Sequence, residues 1–192
     1  LSRWLAAKGY DAWSLSLRDT YDRLIPPEKR SAGTLTTTMD VYATSDLPVA
    51  IAEVKRRTGA AYLDFIGHSM GGLVLYAYLA RGGADIRAAV TLGSPTLLRF
   101  GGPLEDLARR RGALAGLIDP IPGGQWSPLY FSIDGLDSPI DLLVMNPENI
   151  TPEVWRKFVV VGTADIRGGV AAQFARNLAD DRFQSADQKL DY

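Results

Sequence analysis

Cysteine is absent, and histidine occurs once, at position 68. The first absence excludes a disulfide framework, a thiolate metal site and a cysteine nucleophile, and it leaves both a cytoplasmic and an exported location open. The second leaves only carboxylates as metal ligands. No calcium-loop pattern organises them, so no metal is expected. Glycine pairs such as Gly82-Gly83 and Gly168-Gly169 lack a phosphate-loop lysine or dinucleotide spacing, so no cofactor is expected either. A surplus of charge is also missing. With a formal net charge of −1 and a pI near 5.9 there is no electrostatic footprint for nucleic acid or an anionic membrane surface. No apolar run approaches the ~18–20 residues of a membrane span. What is present suits a globular chain: 192 residues, 46% hydrophobic and 22% charged, enough to bury a sizeable core.

The most informative stretch is Gly67-His68-Ser69-Met70-Gly71-Gly72. Residues 61–66 before it have strand composition, and the apolar residues 73–80 after it suit a buried helix. Strand, G-x-S-x-G, helix is the order in which a serine is held on a sharp turn at the tip of a sheet. Gly67 and Gly71 are expected to be glycine because strand and helix backbones nearly touch there. Ser69 would then project its hydroxyl clear of the backbone, and the Met70 N–H would face a developing oxyanion.

Gly67 to Gly72 and the flanking segments resemble the central part of an α/β-hydrolase of the lipase and esterase branch. In chain order, residues 1–8 resemble the end of a helix and residues 11–17 the fourth strand. A helix over residues 46–57 follows, opened by Ser45 or Asp46 as cap with Pro48 in its first turn and closed by Gly59. Its apolar positions Leu47, Ala50, Ile51 and Val54 share one face. After the elbow, residues 86–95 resemble the sixth strand and its exit. The resemblance implies an α/β fold, with a partial parallel sheet of strands four to six and a helical, lid-like C-terminal half. The domain division expected is 1–96 for the core and 97–192 for the lid.

The resemblance also calls for an acid and a histidine later in the chain than the serine. His68 precedes Ser69 directly. Neighbouring side chains diverge at a sharp elbow, so His68 is expected to pack beside the elbow rather than take the Ser69 proton. The resemblance therefore implies an internal piece of a longer polypeptide. The triad histidine and acid would lie beyond Tyr192, and the second oxyanion donor before Leu1. Asp134, Asp137 and Asp141 are acids by type alone, and Asp64 on the elbow strand is expected to pair with a nearby base.

Elsewhere, residues 18–39 form a long polar connection containing Pro26-Pro27. A helix is expected over residues 104–117 with the basic cluster Arg109-Arg110-Arg111 on a solvated face, followed by an irregular stretch rich in proline. Thr151-Pro152 opens another helix through Val159, and a last helix covers residues 166–180. Residues 142–145 and 158–161 are the most apolar parts of this half, fit to pack on a neighbour or to line an acyl pocket. The activity implied is hydrolysis of a small-molecule carboxylic ester, with an acyl chain under the lid. An acyltransferase of the same fold and a non-catalytic binding module that keeps the elbow are the alternatives.

Overall fold

The computed structural model describes residues 1–18, 37–97, 146, 148–162 and 164–192. By contacts the chain forms two units: Leu1–Arg18, Thr37–Leu98 and Asp180–Tyr192 make the first, and Asp19–Thr36 with Arg99–Ala179 make the second. The expected helix over residues 104–117, the basic cluster, the apolar residues 142–145 and the acids Asp134, Asp137 and Asp141 lie outside the described residues, as does most of the polar connection.

The first unit opens with α1 (Ser2–Ala7), after which residues 10–17 take no regular secondary structure. The strand expected over residues 11–17 does not form. A strand is held by a hydrogen-bonded neighbour, and among the described residues none flanks this segment, so its backbone joins no ladder. Side chains anchor it instead. The Arg57 guanidinium lies 5.7 Å from the Trp13 ring centroid. Arg18 donates to Asp46 from its backbone N–H at 2.9 Å and from Nε at 2.7 Å.

The helix before the elbow starts earlier than the sequence suggests. It begins as α2 (Met39–Val41), widens into a π-helical turn over Tyr42–Asp46, and continues as α3 (Leu47–Thr58). Asp46 is helical, at φ −68° and ψ −48°, and makes no cap hydrogen bond, which corrects the expected start at Ser45 or Asp46. Pro48 explains the wide turn. It has no N–H to offer the carbonyl of Thr44, and its ring would strike that carbonyl in a regular helix; the extra residue in the preceding turn takes up the misfit. At the far end Gly59 takes φ 73° and donates to Lys55 O at 2.8 Å, closing the helix as expected.

Two strands follow, β1 (Leu63–His68) and β2 (Ile86–Leu92), joined through α4 (Met70–Ala80). They pair in parallel, with Ile66 opposite Val90 and His68 opposite Leu92, and a register shift between Leu63 and Asp64. The protein is thus mixed α/β, and among the described residues its parallel sheet is small, open and two-stranded, rather than the three strands expected. α4 is apolar all round, as its sequence implies, because it is covered on both sides. One side meets the long helix, whose Met39, Tyr42, Ala43, Leu47 and Ile51 are buried; the other meets the sheet. Leu73, Val74, Leu75 and Ala77 are buried in this core. On the far face of the sheet Ile66, Val90 and Leu92 remain exposed.

Residues 180–192 belong to this first unit. Gln184 and Asp191 form an antiparallel bridge, and Ser185 Oγ accepts the Lys189 and Leu190 N–H groups at 3.1 Å each. The loop is fixed to the core by Asp40, whose carboxylate accepts the Ala186 N–H at 2.5 Å and the Tyr192 hydroxyl and pairs with Arg81 at 3.3 Å. In the second unit, α5 (Pro152–Gly162) starts with Thr151 accepting the Val154 N–H at 3.4 Å and Pro152 in first position. α6 (Gly168–Asp180) starts two residues later than expected.

Candidate active site

The site is assembled where β1 ends and α4 begins. His68 closes β1, and Met70 is the first residue of α4. Ser69 between them takes φ 50° and ψ −119°, a conformation that suits neither strand nor helix and that a side chain resists. Such a residue stores on the order of 1–3 kcal/mol and persists only where its surroundings hold it. Here its N–H donates to Leu92 O at 2.8 Å, and its carbonyl accepts Gly72 N–H at 3.0 Å as α4 starts.

The glycines around Ser69 divide unexpectedly. A Cβ on Gly67 would come within 2.6 Å of Gly72 N and 2.8 Å of Gly71 C, all backbone atoms, so this position admits no side chain. Gly71, by contrast, faces open space, with nothing within 4 Å. The steric demand expected of Gly71 falls on Gly72. A Cβ there would overlap Ser94 Oγ and lie 2.6 Å from Ser94 Cβ and 3.1 Å from Thr91 Cγ2. The reason is rotation about the helix axis: one residue turns the Cβ by about 100°, from solvent to β2.

Ser69 is exposed, and among the described residues its hydroxyl has no hydrogen-bond partner. The Met70 N–H, on the first turn of α4, has no acceptor among them either. Hydroxyl and free amide therefore stand together at the positive end of an 11-residue helix. His68 is exposed and makes no hydrogen bond to Ser69, in keeping with divergence at the turn. Asp64 is engaged elsewhere: Arg87 donates to its carboxylate at 3.0 Å and 2.6 Å. These hydrogen bonds hold the Asp64 carboxyl below its usual range. Neither residue serves Ser69 as a base in this arrangement.

Three contributors were not read from the sequence. Ser94 and Thr91 crowd Gly72, and the Tyr76 hydroxyl meets Thr91 Oγ1 at 2.7 Å, tying α4 to β2. The doublet Gly71-Gly72 and the small pair Gly93-Ser94 were the available signals, since close backbone approach needs small residues on both partners. No group of three or more histidine, cysteine, aspartate or glutamate side chains able to hold a metal occurs among the described residues. No described helix is long and apolar enough to cross a membrane. Compared with known families and curated proteins, the chain matches no family model and no curated sequence.

Proposed function

We propose that Ser69 is the nucleophile of a serine hydrolase acting on carboxylic esters. The observation that carries this reading is the Ser69 backbone, φ 50° and ψ −119° between a parallel strand and a helix, with its hydroxyl and the next amide both unpartnered among the described residues. Strain of this kind clusters at active sites, ligand clamps and switch regions. It suits a hydroxyl that must stand clear of the backbone to reach a carbonyl carbon.

In this reading Ser69 Oγ attacks the ester carbonyl and its proton passes to a histidine supplied from outside the 192 residues. The Met70 N–H, helped by an amide of another loop, takes the tetrahedral oxyanion, a donor whose loss costs about 3 kcal/mol. The alcohol leaves with that proton, and water then releases the acid from the acyl-enzyme. The ester proposed carries an acyl chain.

One observation favours a second reading. Among the described residues no side chain hydrogen-bonds the Ser69 hydroxyl, which also suits a binding module that keeps the elbow without chemistry. Labelling with a fluorophosphonate decides between them. The full-length protein is expected to be labelled at Ser69, with the Ser69→Ala variant blank. Absence of label on the folded full-length protein refutes the enzyme and leaves the binding module.

A further inference from the structure

The strain at Ser69 has to be balanced by contacts, and these converge from the end of β2. Residues 69, 72 and 76 recur at helical spacing, three and four apart, so they share one face of the turn and α4. Each meets β2 or its exit. Ser69 N–H donates to Leu92 O at 2.8 Å, Gly72 packs against Ser94, and the Tyr76 hydroxyl meets Thr91 Oγ1. Ser94 enters twice, since its hydroxyl donates at 3.2 Å to the same Leu92 carbonyl that accepts the Ser69 N–H. Gly93, at φ 56°, lets the chain turn back so that Ser94 reaches that place.

We infer that Ser94 is a positioning residue for Ser69: through the Leu92 carbonyl and the bare Cα of Gly72 it sets where the Ser69 hydroxyl and the Met70 amide stand above the sheet. The volume of Ser94 is the controlling quantity. Residue 72 has no side chain to yield, so a larger residue at 94 must push the first turn of α4 away from β2. That movement stretches the bond from Ser69 N–H to Leu92 O and displaces the Met70 amide with it. The hydroxyl of Ser94 is the lesser part, one of two donors to a single acceptor. Its consequence for catalysis rests on the hydrolase reading above; the coupling of Ser94 to the Ser69 backbone does not.

The test compares Ser94→Ala and Ser94→Val in the full-length protein by three measures: fluorophosphonate labelling rate, hydrogen exchange of the Ser69 amide, and melting temperature. A misplacement of about 1 Å can cost on the order of 100-fold in reactivity. Ser94→Val is therefore expected to label at least about tenfold more slowly and to exchange the Ser69 amide faster, with the protein still folded. Ser94→Ala is expected to label within about threefold of the wild type, the scale of one hydrogen bond. A purely structural role would lower the melting temperature of Ser94→Val without a separate loss of labelling in the folded fraction. Labelling and exchange equal to wild type in Ser94→Val overturn the inference. If the wild type itself takes no label, the hydrolase reading falls and exchange alone decides: faster in Ser94→Val upholds the positioning role, unchanged overturns it. Should Ser94→Val not fold, Tyr76→Phe is read by the same two measures. Slower labelling with faster exchange supports the role of the β2 end, and no change in either refutes it.

Discussion

Replacing Gly67 and Gly71 by alanine separates the geometry of this turn from its motif, because the two glycines of G-x-S-x-G should respond in opposite directions. At Gly67 the new Cβ would stand 2.6 Å from Gly72 N, well inside the 3.4 Å at which ordinary contact begins. The obstructing atoms belong to the backbone at the start of α4, so no side chain can rotate away and β1 must separate from α4. Overpacking of this kind costs about 1–3 kcal/mol, and rigid neighbours favour the upper part of that range. At Gly71 the Cβ meets nothing within 4 Å, and the residue is already helical. Alanine there removes unfolded-state freedom and stabilises by about 0.4–1 kcal/mol. Urea unfolding of the two variants against the wild type measures both signs. For a protein of roughly this size each kcal/mol moves the melting temperature by about 2–4 °C, so thermal unfolding is an independent check. A neutral Gly67→Ala, or a Gly71→Ala as damaging as Gly67→Ala, would refute the close approach of strand and helix on which the site depends.

Two further outcomes follow from the same structure. Asp40→Ala removes the acceptor of Ala186 N–H and Tyr192 hydroxyl and the partner of Arg81. Leaving part-buried donors unsatisfied costs about 1–3 kcal/mol, so residues 183–192 should lose hydrogen-exchange protection before the rest of the first unit; equal protection in mutant and wild type would refute the role of Asp40. Glu53 should titrate far below a usual glutamate, at about 2, because Arg56 and Arg57 hydrogen-bond its charged form. A depressed folded-state pKa contributes stability above the unfolded value and loses it as pH falls toward 2. The side chain is exposed, so the effect on stability is small and screened by salt. An NMR titration of the Glu53 carboxyl with a midpoint near 4.5 would contradict the Arg56 and Arg57 contacts.

How much of this was legible in the sequence follows from how local each cause is. The strand, turn and helix around Ser69 were legible because strand composition, a serine between glycines and an apolar helix are all written within about twenty residues. The mixed α/β class and the apolar-all-round α4 followed from the same stretch. The start of the long helix was misread because Pro48 signals a first turn on its own, whereas here a π-helical turn at Tyr42–Asp46 absorbs it and frees Asp46 to bind Arg18. Residues 11–17 were misread for a different reason. Strand composition is a property of side chains, but a strand is completed by a neighbour's hydrogen bonds, and a segment cannot encode its neighbour.

The same distinction divides the candidate site. Everything that holds Ser69 from its own side, the strand, the turn and Gly67, is local and was readable. What holds it from the other side, Leu92, Ser94 and Thr91, lies 22–25 residues along the chain and reaches Ser69 only because β2 pairs in parallel with β1. A parallel pair requires a crossover, so the partner of any residue at its end is necessarily distant in sequence. A strained turn of this kind is therefore a two-part device, of which sequence displays the half that bends and structure the half that resists the bend. Gly72 is where the halves meet: it looks like a spare glycine after the motif, and it is the residue whose missing side chain lets Ser94 approach α4.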